Sequence, residues 1–204
     1  MKRKLDFMIG INFMKLINLK KKSGFTLIEL MTSFFIIALM TGLFLANYQQ
    51  GERQSDLMLT SQNLISNIRL SQAYSLGLFE YDQSYPYSGW GVYFDTNDSG
   101  KYIIFADISE TQEYQEGEAN EDKGGRIINI SDGIEIVELE VVDKNGGISS
   151  VDKLNIVFLP PDPRTYINKK YIENKRAIIT LKQKNNEEEK KVKVNFAGLI
   201  ETYN

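Results

Sequence analysis

Residues 24–48 read "GFTLIELMTSFFIIALMTGLFLANY", an apolar run broken by a single carboxylate, Glu29, the fifth residue counted from Phe25. As a helix rising ~1.5 Å per residue, the run from Phe25 to Tyr48 is long enough to cross ~30 Å of hydrocarbon. An ionised carboxylate at that depth costs at least ~2.5 kcal/mol, so Glu29 is expected to have a cationic partner and a function. Lys20, Lys21 and Lys22 lie just upstream, with Lys2, Arg3, Lys4 and Lys15 before them. The excess of positive charge places the leader in the cytoplasm and everything after the span outside it. Those lysines are one source of a partner for Glu29. An α-amine exposed at Phe25 by cleavage after Gly24 is better placed.

Gly24, Phe25, Thr26, Leu27, Ile28, Glu29 and Leu30, following a lysine-rich leader, resemble the processing motif of the type IV prepilins and type II secretion pseudopilins. The resemblance implies that a prepilin peptidase cleaves between Gly24 and Phe25 and N-methylates Phe25, and that Glu29 pairs with the terminal amine of a neighbouring subunit during assembly. It also implies other pilin or pseudopilin subunits and an inner-membrane assembly platform as partners, beside the lipid bilayer itself. Many pilins carry a proline where this chain has Ala46, so a straighter helix is expected, with Gly42 as its weak point. A plain signal anchor would have no use for Glu29, and "LANYQQGERQSD" is a poor site for a conventional signal peptidase.

Loss of residues 1–24 removes seven Lys or Arg and one Asp, taking the formal charge from −3 to about −9. An acidic chain of this kind disfavours wholesale nucleic-acid binding, although "NKKYIENKR" and "KQKNNEEEKKVK" are local basic clusters of mixed sign. There is no cysteine, so the outer domain depends on core burial. Nor is there any histidine, which removes the usual general base, the Ser-His and Cys-His pairs and the commonest zinc ligand. An enzyme is not expected, and no cofactor is required.

Beyond the span, Leu57, Leu64, Ile65, Ile68 and Leu76 form an apolar stripe at helical spacing opposite Glu52, Arg53, Asp56 and Arg69. The helix is therefore expected to continue to about Leu76, near 80 Å in all at ~1.5 Å per residue, with Gly77 as its stop. Strand signals follow in "WGVYFD", "KYIIFAD", "GRIINI", "IEIVELEVVD", "KLNIVFL", "RAIITLKQ" and "KKVKVNFAG". In the fourth, Ile134, Ile136, Leu139 and Val141 alternate with glutamates apart from one slip at Val137, the mark of a bulge. The expected fold is α+β: a long N-terminal transmembrane helix packed on an antiparallel β-sheet domain, as in a pilin. Its parts are a leader (1–24), a membrane half of the helix (25–48), an outer half (49–77) and a β-rich head (78–204). From "GWGVYFD" to "VKVNFAGLI" the head loosely resembles the GspH pseudopilin group, which implies a minor subunit.

Trp90, Tyr93, Phe94, Tyr102 and Phe105 admit reading as a carbohydrate or base-stacking platform, but strand spacing favours a core role. "PPDPRTYINKKYIENK" reads as a rigid surface excursion. In "DISETQEYQEGE", Asp107, Ser109, Thr111, Glu113, Gln115 and Glu118 place oxygens with the spacing of a calcium loop, although Gln112 stands where that loop wants glycine. The competing reading is a solvated acidic loop. Two rivals to a filament subunit stand beside it: a minor tip subunit that binds DNA, a surface or a secreted substrate, and a membrane-anchored binding or sensor domain that never polymerises.

Overall fold

A computed structural model describes residues 24–161, 164–184 and 187–203, excepting the side chains of 46–54. The leader before Gly24, the side chains of Ala46, Glu52 and Arg53, and two residues each of "KQKNNEEEKKVK" and of the proline-rich stretch fall outside the described residues. The chain divides into two compact units, Met1–Leu45 and Ala46–Asn204. One helix, α1 (Leu27–Leu76), contributes to both.

In the first unit, Leu27–Leu45 is long and apolar enough to cross a membrane, and its side chains are exposed throughout. The hydroxyls within it turn back onto the helix: Thr32 Oγ1 and Ser33 Oγ donate to the Glu29 carbonyl at 3.0 and 2.7 Å, and Thr41 Oγ1 donates to Ile37 O at 2.7 Å. Hydroxyls so satisfied impose little cost on a lipid-facing surface.

The second unit is α+β. Among the described residues its strands number ten: β1 (Trp90–Asp95), β2 (Lys101–Ala106), β3 (Arg126–Asn129), β4 (Ile134–Val142), β5 (Ile148–Ser150), β6 (Lys153–Leu159), β7 (Arg164–Ile167), β8 (Arg176–Gln183), β9 (Glu189–Asn195) and β10 (Ile200–Tyr203). They form two five-stranded antiparallel sheets, in the orders β3-β2-β1-β6-β7 and β10-β9-β8-β4-β5. All seven expected strands are present. The other three are short, and β7 corrects the reading of the proline-rich segment as a surface excursion, because it pairs with β6 and buries Thr165 and Ile167. The slip at Val137 is a true bulge: the β4–β8 register shifts between Ile136 and Glu138, leaving Val137 exposed.

One core joins both sheets to the outer part of α1. Leu57, Leu64 and Ile68 meet Trp90, Val92, Phe94 and Ile104 from the first sheet and Ile136, Leu139, Ile179 and Val192 from the second. The four aromatics Trp90, Phe94, Tyr102 and Phe105 are buried, as strand spacing implies, while Tyr93 is half-buried. The helical stripe differs from expectation in its polar members. Thr60, Ser61, Ser71 and Ser75 are buried within it, whereas Leu76 is exposed. Small hydroxyl side chains let the helix approach the strands closely, and Ser75 Oγ donates to the Phe158 carbonyl of β6. The helix stops at Leu76 as expected, but the left-handed residue is Leu78 (φ 50°) and not Gly77. The N–H groups of Leu78 and Phe79 return to Ser75 O and Tyr74 O at 3.3 and 2.9 Å, and the Phe79 ring stacks on Tyr74 at 4.4 Å, the bonding and apolar contact of a Schellman cap.

A buried lysine bridges the two sheets. Lys175, just before β8, donates from Nζ to the Ile167 carbonyl of β7 at 2.5 Å. Burial, reinforced by the charge of Lys170, holds its pKa below the ordinary lysine value. Folding thus disfavours the charged amine relative to the unfolded chain, and stability is expected to rise as pH climbs through the depressed value towards the unfolded one. Ile167 O also accepts from Lys170 N at 3.3 Å, so it keeps a partner if the amine is lost. Lys175→Met is expected to raise the unfolding midpoint at neutral pH and to flatten its alkaline rise, as followed by urea denaturation across pH.

Candidate functional site

Gly24, Phe25 and Thr26 precede the helix without regular structure, and Gly24 and Phe25 are exposed. The peptide bond expected to be cut therefore lies in open chain one turn ahead of the membrane helix. A protease acts on backbone of this kind, outside regular secondary structure.

Glu29 has a partner that sequence reading did not anticipate. Its Oε2 accepts from Thr26 N and from Thr26 Oγ1, each at 3.2 Å, while Glu29 N donates to Thr26 Oγ1 at 3.3 Å. Thr26 and Glu29 thus form a reciprocal capping box, satisfying helix-start donors that would otherwise face hydrocarbon. The signal was present in the spacing T-x-x-E. The carboxylate is held at the end of the helix nearest Phe25, so an amine created there would stand one residue from the group that holds it.

The acidic loop lies on the opposite face of the first sheet from the main core. There Ile103, Phe105 and Val157 form a small second cluster with Tyr93, Tyr114, Ala119 and Tyr166. Tyr114 stacks on Tyr93 at 5.1 Å and meets Phe105 edge-on at 5.6 Å. Its N–H donates to Asn155 Oδ1 on β6 at 2.9 Å, and Asn155 N in turn donates to Asn168 Oδ1 at 2.8 Å.

Of the six residues with calcium-loop spacing, only Asp107 and Glu118 are buried. Asp107 Oδ1 accepts from Thr111 N at 3.0 Å and Oδ2 from Gln112 N at 2.8 Å, with Ser109 Oγ at 3.4 Å from Oδ1. Burial pushes the Asp107 carboxyl pKa up, against the pull of these N–H bonds. Glu118 Oε1 accepts from Ser109 N at 3.0 Å and Oε2 from Gln115 N at 2.7 Å. Glu113 pairs with Lys169 at 2.7 Å, Thr111 Oγ1 donates to the Glu113 carbonyl, and Gln115 is exposed. Among the described residues no group of three His, Cys, Asp or Glu side chains is arranged to hold a metal ion. In this arrangement the donor set does not fit calcium, which needs six or more oxygens turned to one centre.

Residues 19–45 match the family described as the prokaryotic N-terminal methylation motif. No curated protein and no solved structure matches the chain. The motif and the apolar helix behind it support a membrane-anchored, type IV pilin-like subunit, processed by a prepilin peptidase and assembling with other pilin subunits.

Proposed function

We propose that this pilin-like chain is a minor pilin or pseudopilin, made as a prepilin with its leader in the cytoplasm and its head outside. The peptidase cuts between Gly24 and Phe25 and methylates the new Phe25 amine. An assembly platform in the cytoplasmic membrane then draws the subunit from the bilayer into an extracellular or periplasmic filament, packed through the apolar helix. The work is mechanical: Glu29 selects a correctly placed neighbour by pairing with its terminal amine, and no catalytic step is involved.

The observation that carries this reading is the position of Glu29, the one carboxylate in the apolar segment, at the helix start directly after an exposed Gly24–Phe25 bond. The loose likeness of the head to the GspH group supports a minor over a major subunit. Intact mass and N-terminal sequencing of protein from its native membrane test the reading. An N-methyl-Phe25 terminus is expected. A retained Met1, or cleavage elsewhere, would make the chain an ordinary anchored domain, and a processed chain missing from filaments would leave it a non-polymerising binding or sensor protein.

A further inference from the structure

A calcium loop folds because its carboxylates turn inward onto an ion; in this chain the same spacing folds onto the backbone. We propose that the segment Asp107–Glu118 is a metal-free lock, in which two buried carboxylates grip the loop's own N–H groups and Lys169 supplies the counter-charge. The head would then keep its outer cover without any divalent cation.

Four carboxylate oxygens each receive a backbone N–H, from Thr111, Gln112, Ser109 and Gln115. Each oxygen keeps a second lone pair, but the N–H groups already satisfy both carboxylates from inside the loop and set their positive partial charge beside any cation, so an ion would gain less here than at bare carboxylates. Gln112 makes the sharp turn usually given to glycine, at φ 55°, and Glu110 lies at φ 58°. Left-handed backbone costs a non-glycine residue ~1–2 kcal/mol, so the surrounding bonds must hold these residues in place. The remaining acid of the loop that is paired, Glu113, has its positive partner on the turn after β7, at 2.7 Å. Through Tyr114, Asn155 and Asn168 the loop is also tied to β6 and to that same turn.

The test uses the full processed chain in detergent, stripped of metal, with calcium itself as the probe. Calorimetric titration is expected to show no saturable uptake, and thermal unfolding followed by Trp90 fluorescence is expected to have the same midpoint with calcium or with chelator. Asp107→Asn and Glu118→Gln should each lower that midpoint equally in both conditions, since an amide sets a donor against an N–H. One-to-one calcium uptake, or a calcium-dependent rise in midpoint that Asp107→Asn abolishes, would overturn the proposal. Should the Asp107 variant not fold, Lys169→Gln keeps the idea exposed: a lowered midpoint supports the counter-charge, and an unchanged one refutes it.

Discussion

A Glu29→Ala subunit is expected to be cleaved and methylated as efficiently as the wild type, yet to be missing from sheared filaments while it accumulates in the membrane. Cleavage is spared because Gly24 and Phe25 lie in open chain before the helix. Assembly is lost because the variant cannot offer a carboxylate to a neighbour's amine, an interaction made in low dielectric where opposite charges attract strongly. The capping box complicates the reading of alanine, which removes the charge and the cap together. Two further substitutions separate them. Glu29→Gln retains an acceptor for Thr26 N and so keeps the cap, but is uncharged; Thr26→Val keeps the charge and loses the hydroxyl. If charge governs assembly, the glutamine variant behaves like the alanine one, and the valine variant assembles, weakened only by a cap worth ~1 kcal/mol. Full incorporation of the Glu29→Gln subunit would sink the electrostatic role and leave Glu29 as a helix start signal. The quantity to measure is the ratio of filament to membrane signal for each variant at equal processing.

Gly89→Ala is expected to be the most damaging single methyl group in the head. Gly89 has φ 83°, and a Cβ there would lie 1.9 Å from the Phe158 carbonyl oxygen and 2.7 Å from Ser75 Oγ. These are backbone and a buried hydroxyl, so no flexible side chain can yield. The same glycine accepts from Asp107 N at 3.0 Å and donates to Pro86 O at 2.9 Å, and it precedes the fully buried Trp90. Any shift therefore disturbs α1, β6 and the start of the acidic loop together. We expect a loss of at least ~4 kcal/mol, a large fraction of the ~5–15 kcal/mol that holds a domain of this kind folded. Gly133→Ala provides the control: φ is 87° but nothing lies within 4 Å of the added carbon, so only the left-handed backbone cost of ~1–2 kcal/mol applies. Trp90, the one tryptophan of the chain, reports both transitions in urea. Similar losses in the two variants would refute the steric argument.

The contrast between these two glycines illustrates what was legible in the sequence. Periodicity and runs of aliphatic residues carried the membrane helix, its outer continuation and seven of the strands, down to the bulge at Val137. β5, β7 and β10 are as short as β3 or shorter but carry one aliphatic side chain each against its two, and they exist because longer neighbours offer them unpaired edges. The buried serines of α1 were invisible for another reason. Whether Ser75 belongs inside depends on a carbonyl 83 residues away. At the N-terminus the motif singles out Gly24, Phe25 and Glu29 but says nothing of Thr26, whose bonds to Glu29 follow from the T-x-x-E spacing at the helix start. In the acidic loop the oxygen spacing is legible, whereas the backbone N–H groups that bond Asp107 and Glu118 leave no trace in residue identity.

The pair of asparagines beneath that loop has a consequence for how the head tolerates change. Asn155 receives Tyr114 N on its side chain and gives its own N–H to Asn168, so two surface segments far apart in sequence rest on one strand position. Replacements in 110–116 and in 168–170 should therefore be epistatic, each altering the penalty of the other, and a loop transplanted from a homologous head would carry its stability across only if both segments travelled with it.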